Sequence, residues 1–188
     1  MMVNDDFKRE IKSLFLKGFE ETISSFSNDS NVSVREKSQL DNTPNEEFFV
    51  LTVSSQLFRI IVLVHFTNNE SSRSFVSDAL KIGQNGMSDL QLYDFLGELG
   101  NSFCGALKRD LGKTVPHLGM STPNVLSKDC LKYMQSLKID HEMHASAEVD
   151  GNILFCASAY LSADQALHYE IKSNHEQEET DSGELEFF

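Results

Sequence analysis

The sequence predicts an α+β domain in which long helices pack on a mainly antiparallel β-sheet. Two long segments, one near the N-terminus and one in the middle of the chain, repeat apolar residues at the three- and four-residue spacing of amphipathic helices. Two other stretches, residues 48–66 and 138–161, are apolar or strictly alternating, and a short turn interrupts each of them. This pattern is typical of β-hairpins, and hairpins produce antiparallel pairing.

The first half of the chain is expected to contain one helix and three strands. The helix is predicted over residues 5–26, and the weak alternation of residues 32–40 indicates an edge strand. Residues 48–53 and 57–66 are rich in Val, Ile and Phe on both faces. They are therefore predicted to form a hairpin inside a sheet that is covered on both sides.

The second half is expected to supply two more helices and a closing hairpin. Residues 71–82 form a short amphipathic helix, and a longer one of about 24 residues begins after Ser88 as N-cap and ends near Gly112. Prolines break the chain before a short extended piece at 124–126. Residues 138–149 then alternate, and a turn at 150–152 leads into the last strand.

Composition limits the class of protein and its partners. The 188 residues fit one domain over residues 1–163, followed by an acidic, flexible tail over 164–188. The tail holds eight acids and one lysine, so it contributes −7 of the net charge of −13. Such a charge repels phosphodiester backbones and anionic membranes, so neither nucleic acid nor a membrane is an expected partner.

Cysteine usage and the N-terminus both favour the cytoplasm. The three cysteines, Cys104, Cys130 and Cys156, are odd in number and far apart, which predicts neither disulfides nor a thiolate metal site. Cys104 lies on the core-facing side of its helix and is predicted to be a buried thiol. Residues 1–10 lack the pattern of a signal peptide, and the longest apolar run is too short to cross a bilayer.

Two histidines on the strand over 138–149 were the other candidates for chemistry. His141 and His144 are three residues apart, so they point to opposite faces of a strand and do not form a two-histidine metal pair. The alternation predicts that His141 is a hydrogen-bonded residue of the inner face. His144 is predicted to lie at the surface.

The long helix carries the most informative pattern, an acid and an amide beside a glycine. At about 100° per residue, Glu98 and Asn101 fall on the arc opposite the apolar residues, together with Asp94 and Gly105. A carboxylate and a carboxamide held together on a helix are suited to binding a partner's cation and orienting a water. Gly100 faces the core and is explained by tight packing, whereas Gly105 faces outward and indicates close approach by another molecule.

The segment from Asp94 to Gly105 reads D-x-x-G-E-L-x-N-x-x-x-G and resembles the signature helix of the CheX, CheC and FliY group of bacterial chemotaxis phosphatases. The order of elements is similar too, including a Ser-Thr-Pro-Asn-Val segment at 121–125. The resemblance covers roughly residues 5–162. It implies a CheC/CheX-like fold, and a protein that dephosphorylates the phosphoaspartate of a CheY-like receiver domain.

The resemblance also implies roles for single residues. Asn101 would hold the attacking water in line with phosphorus, and Glu98 would pair with the receiver's lysine. Asp94 and Gly105 are expected to contact the docked partner. The chain would bring no cofactor of its own, because the receiver's carboxylates hold the Mg²⁺.

The chain also departs from part of this family. CheC and FliY relatives carry two such helices, whereas only one Glu-x-x-Asn sequence is present here. A single site favours the CheX branch, whose members resemble homodimers that join their sheets across an edge. The alternative function is a non-catalytic module of the same fold that docks on a receiver or on the flagellar switch.

Overall fold

The computed structural model describes residues 3–27, 32–39, 47–66, 69–83, 87–149 and 151–163, which form three helices on one face of a seven-stranded sheet. The predicted acidic tail, 164–188, lies outside the described residues. The helices are α1 (Asp5–Phe26), α2 (Glu70–Leu80) and α3 (Asp89–Leu111). The strands are β1 (Val32–Lys37), β2 (Glu47–Ser54), β3 (Phe58–Phe66), β4 (Gly119–Met120), β5 (Asn124–Ser127), β6 (His141–Val149) and β7 (Asn152–Ala163).

The sheet is antiparallel at each of its strand pairings. Its order is β1-β6-β7-β3-β2-β4, and β5 also pairs with β2. The strand predicted over 32–40 is therefore an edge strand, as expected, and both predicted hairpins are confirmed. A 3₁₀ segment, Lys128–Ser136, links β5 to β6.

Side-chain caps set where the helices begin. The Asn4 side chain accepts a hydrogen bond from the Phe7 amide at 2.8 Å, and Asn69 caps α2 in the same way. Ser88 caps α3 and forms a capping box with Gln91, whose side chain accepts from the Ser88 amide at 2.9 Å. Each cap satisfies amides that have no partner inside the helix, so the predicted N-terminus of α3 is confirmed.

Aromatic rings join α1 to α3 in the core. The Phe103 ring of α3 lies 5.5 Å from Phe15 and 5.2 Å from Phe19, measured between ring centroids. All three side chains are fully buried. Such pairs add to the free energy gained by burial alone, so α3 is fixed against α1 along its inward side.

The sheet is buried on both faces, and this overturns one prediction about β6. On β3, Val62 and Val64 face the helices, while Leu63 and His65 are buried on the opposite face. His144 was predicted at the surface but is only 6% exposed, because it also lies on this second face. Its Nδ1 is 2.9 Å from the Ser158 hydroxyl oxygen.

His141 also differs from its prediction. It does lie on the face opposite His144, but its Nε2 is buried and has no hydrogen-bond partner among the residues that the structure describes. Burial lowers the pKa of His141, and the nearby Lys8 and Lys12 of α1 lower it further. The alternation of β6 therefore predicted the correct face of the strand for each histidine. It did not predict their surroundings, because the face that carries His144 is buried and not exposed to solvent.

Candidate functional site

The helix α3 divides into an inward and an outward arc, as the sequence predicted. The outward arc is formed by the exposed Asp94, Glu98 and Arg109 together with the partly buried Asn101 and Gly105. The inward arc is buried and consists of Leu92, Phe95, Leu96, Leu99, Gly100, Phe103, Cys104, Ala106, Leu107, Asp110 and Leu111. The four predicted site residues thus lie on one outward-facing strip of a single helix.

Gly100 is explained by packing. A Cβ at this position would lie 2.9 Å from Cδ1 of Leu51, a fully buried residue of β2. The missing side chain therefore lets α3 approach the sheet closely. Gly97 is different, because a Cβ there would meet Phe49 at an ordinary 3.6 Å.

Gly105 has no packing explanation. A Cβ added there would meet nothing within 4 Å. Interior helical glycine costs about 1 kcal/mol relative to alanine, and no contact with the described residues offsets that cost here. The open backbone lies one turn after Asn101, where it leaves room for another molecule.

Glu98 and Asn101 are available to bind a partner. Among the described residues, none forms an ion pair or a hydrogen bond with either side chain. Their Cβ atoms are three residues apart on one helix, so they are about 5–6 Å from each other. A carboxylate accepts hydrogen bonds or pairs with a cation, while a carboxamide both donates and accepts. The pair can therefore contact a cation and a water at the same time.

Arg109 is the last residue of the outward arc, near the C-terminus of α3. Its guanidinium donates to Glu21 of α1 at 2.9 Å and to the neighbouring Asp110 at 3.3 Å. The cation is thus held between two carboxylates rather than presented to a partner. We therefore assign Arg109 to the contact between α1 and α3.

Asp110 is the charged residue of the inward arc. Its carboxylate lies 2.8 Å from Lys113 and 3.2 Å from Lys17 of α1. Hydrogen bonds from Arg109 and Lys113 hold the pKa of the Asp110 carboxyl well below its usual range. This cluster holds α3 against α1. Asp94 and Glu98 have no cationic partner among the described residues.

The remaining candidates for chemistry are structural. Cys104 is buried, and desolvation raises the pKa of its thiol to about 12, so it is not a nucleophile. Burial lowers the pKa of His65 to about 4, and its Nε2 has no hydrogen-bond partner in the described part of the chain. Within the described ranges, no group of three or more His, Cys, Asp or Glu residues can hold a metal ion. No helix in this part of the chain has the length and apolar character to cross a membrane.

Sequence reasoning missed one residue of the outward arc, Leu90. It is 71% exposed, more than any other large apolar residue that the structure describes. Leu90 lies four residues before Asp94 and eight before Glu98, so the same helical rotation places it on their arc. Its position on the helix, rather than its apolar character, is the signal that could have located it.

Comparison with solved structures defines the class of fold. A chain in the CheX-CheY-BeF3-Mg²⁺ complex from Borrelia burgdorferi matches with a TM-score of 0.62 and 10% identity, over 79% of this chain and 96% of that chain. CheX from Vibrio vulnificus gives 0.61 and 14%, over 81% and 99%. The FliM middle domain from H. pylori gives 0.55 and 14%, over 84% and 92%.

These similarities extend over most of the described domain and nearly all of each compared chain. The protein therefore has the CheC/CheX-like α+β fold, which is the fold that its signature helix predicted. No protein-family model and no curated protein sequence matches the chain.

Proposed function

We propose that this protein is a phosphatase that hydrolyses the phosphoaspartate of a CheY-like receiver domain. The observation that carries the proposal is the outward arc of α3. It presents Glu98 and Asn101 without partners among the described residues, beside the open backbone of Gly105. The CheC/CheX-like fold supports the proposal, because one compared structure is a CheX-CheY complex.

Asn101 is proposed to orient the attacking water. Its carboxamide oxygen accepts a hydrogen bond from the water, and its amide nitrogen donates to a phosphoryl oxygen. Phosphoryl transfer needs little covalent assistance from a protein, so positioning and electrostatic stabilisation supply most of the catalysis. A rigid helix is suited to this task because it fixes the carboxamide relative to the docked receiver.

Glu98 is proposed to pair with the lysine of the receiver's active site. Its carboxylate is exposed and has no competing cation among the described residues. Asp94 precedes it by one turn on the same arc and adds negative charge to the docking surface. The pair of Glu98 with lysine would set the register in which Asn101 meets the phosphoryl group.

The metal of the reaction is proposed to belong to the receiver. Mg²⁺ held by the receiver's carboxylates would neutralise charge on the phosphoryl oxygens. The residues of α3 contribute the amide and the cation-binding carboxylate to this site, and no metal ligand. We further propose a cytoplasmic homodimer joined across a sheet edge, which sedimentation velocity tests directly.

The test of catalysis is the decay of a phosphorylated receiver with the wild type and with Asn101→Ala. We expect the variant to lose at least about 100-fold in kcat, because the water loses its positioning group. Asn152→Ala is the matched control, since Asn152 is an exposed asparagine at the start of β7 and lies outside the outward arc of α3. If the wild type does not accelerate decay, or Asn101→Ala is equally fast, the phosphatase proposal is wrong.

The test of Glu98 is a titration of the receiver with Glu98→Ala. Loss of the pair with lysine should weaken binding by about tenfold, with the free energy of unfolding unchanged. Unchanged affinity would contradict the role proposed for this carboxylate.

A non-catalytic docking module is the second candidate function. It is favoured by the similarity to the FliM middle domain, which has the same fold. This alternative predicts that the wild type binds a receiver without changing its rate of dephosphorylation. The decay experiment therefore separates the two functions.

A further inference from the structure

We propose that the receiver domain docks on a surface that extends from the outward arc of α3 onto an exposed apolar rim, which begins on α3 and continues onto the adjacent edge of the sheet. The apolar rim consists of Leu90, Met120 and Val125. The inference rests on the proposed function, because it takes the receiver as the partner. It extends the proposed function by stating that the docked receiver covers the side of α3 that faces β4 and β5.

Leu90 places the first part of the rim directly on the site. It shares one row of the helix surface with Asp94 and Glu98, at successive four-residue steps. It is 71% exposed, so its side chain makes little contact inside the domain. An apolar side chain in line with the site carboxylates is therefore available to a partner that contacts Glu98.

Met120 and Val125 extend the rim along the edge of the sheet. They pair with Val53 and Phe49 of β2, which face the helices. Paired residues of neighbouring strands point to the same face, so Met120 and Val125 lie on the side of α3. They are 39% and 43% exposed.

The connection between β4 and β5, which carries Pro123, lies beside α3. A Cβ on Gly97 of α3 would lie 4.0 Å from Cγ of Pro123, which stands between β4 and β5. Gly97 comes directly before Glu98 in the helix. The connection between β4 and β5 is thus in contact distance of the helix at the level of the site.

The rim is also preorganised for binding. The Ser121 hydroxyl accepts a hydrogen bond from the Thr52 amide at 2.9 Å, and the Ser121 amide donates to the Thr52 carbonyl at 3.0 Å. These bonds hold the connection between β4 and β5 to β2. A surface that is fixed before binding loses less conformational entropy when the partner docks.

The area that a specific interface needs indicates that a receiver docked on the outward arc also covers a neighbouring surface. The strip from Leu90 to Gly105 is about 22 Å long and one helix wide. Specific complexes bury about 800 Å² on each partner, with an apolar centre. The polar outward arc does not supply that area or that apolar centre by itself, so a neighbouring surface has to contribute.

Only one flank of α3 offers such a surface within the described residues. On the other flank the Phe95 ring packs 5.0 Å from Phe26 of α1, and Arg109 is paired with Glu21. That flank is closed by contacts inside the domain. The partner that reaches Glu98 and Asn101 therefore gains apolar contact by extending toward β4 and β5.

The experiment measures binding and catalysis separately. Leu90→Asp, Val125→Asp and the double variant are titrated with each CheY-like receiver of the source genome, complexed with beryllofluoride and Mg²⁺. We expect about tenfold weaker binding for each single change and a larger loss for the double. In the decay assay, KM should rise while kcat is unchanged. Leu137→Asp and Leu80→Asp are matched controls, because these leucines are 44% and 39% exposed and lie outside the rim.

Leu90→Asp keeps the test independent of folding. Leu90 is in the first turn of α3, where an added carboxylate interacts favourably with the helix dipole. Binding equal to wild type in the rim variants would overturn the proposal, as would a wild type that binds none of the receivers. The proposal would also be overturned if the rim variants changed the oligomeric state of the protein but bound the receiver with unchanged affinity. The rim would then be a contact between two copies of this chain. A wild type that binds without accelerating decay contradicts the phosphatase proposal alone, and the binding data still decide the rim.

Discussion

The two arcs of α3 differ in how completely the domain accounts for them. On the inward arc, Phe103 contacts two rings of α1, and Gly100 leaves space that Leu51 occupies. On the outward arc, Asn101 and Glu98 contact no other described side chain through a hydrogen bond or ion pair. The inward residues of this helix therefore have partners inside the domain, whereas Glu98 and Asn101 have none among the described residues.

This difference in internal contacts gives a criterion that separates residues needed for stability from residues needed for function within α3. A residue with internal partners should change the free energy of unfolding when it is replaced. A residue without them should change binding or rate alone. The predictions below apply this criterion to matched positions of α3.

The largest difference is expected between Phe103→Ala and Asn101→Ala. Removal of a buried aromatic side chain costs about 3–5 kcal/mol, because it loses burial and leaves a cavity. Asn101→Ala should change the free energy of unfolding by no more than about 0.5 kcal/mol, as is usual for surface positions. Urea denaturation of both variants measures the difference. A large loss of stability in Asn101→Ala would mean that the outward arc is structural after all.

An intermediate loss in the free energy of unfolding is expected for Asp110→Asn, which changes the charged residue of the inward arc. Asp110 is buried, but its cationic partners are more than half exposed, so solvent screens the pairs. We expect a loss of about 1–2 kcal/mol near neutral pH.

The pH dependence of this loss follows from the lowered pKa of Asp110. The unfolded carboxyl titrates near about pH 4, and the folded one titrates below that. The stabilisation is therefore complete above the unfolded pKa and disappears as the pH falls through the folded pKa. The gap between wild type and Asp110→Asn should narrow in denaturation curves below about pH 4. A gap that is constant down to pH values near about 2 would contradict the ionic origin of the effect.

Much of this site was predictable because a helix has a regular rotation. The spacing of Leu92, Leu96 and Phe103 fixes the inward side, and this places Glu98 and Asn101 outward without any structure. Leu90 was missed, although the same rotation places it on the outward arc.

The environment of the second sheet face was not predictable in the same way. The alternation of β6 gave the correct face for His144, but burial depends on what covers that face. The polar residues of the face suggested solvent, yet Ser146 and Ser158 are fully buried there. Ser158 provides a partner for His144, and a cross-strand neighbour of this kind depends on the register of β6 and β7. Strand periodicity specifies directions, whereas burial depends on contacts between segments far apart in sequence.

The smallest difference in the free energy of unfolding is expected between Gly105→Ala and Gly100→Ala, the variant with which it is compared. Alanine at 105 meets nothing within 4 Å, so it should raise the free energy of unfolding by about 1 kcal/mol through helix propensity. Alanine at 100 gains the same propensity, but its Cβ would lie 2.9 Å from the buried Leu51, which has to move. Overpacking of this kind offsets the gain, so Gly100→Ala should be no more stable than wild type.

The affinity of Gly105→Ala for the receiver then tests whether Gly105 is needed for docking. If another molecule approaches the backbone there, Gly105→Ala should be more stable than wild type and yet bind the receiver less tightly. Titration of the receiver alongside urea denaturation gives both quantities for the same variant. A variant that is more stable and binds as tightly as wild type would show that the open position at 105 is not used in docking. The outward arc would then be explained by Glu98 and Asn101 without close contact between the two backbones.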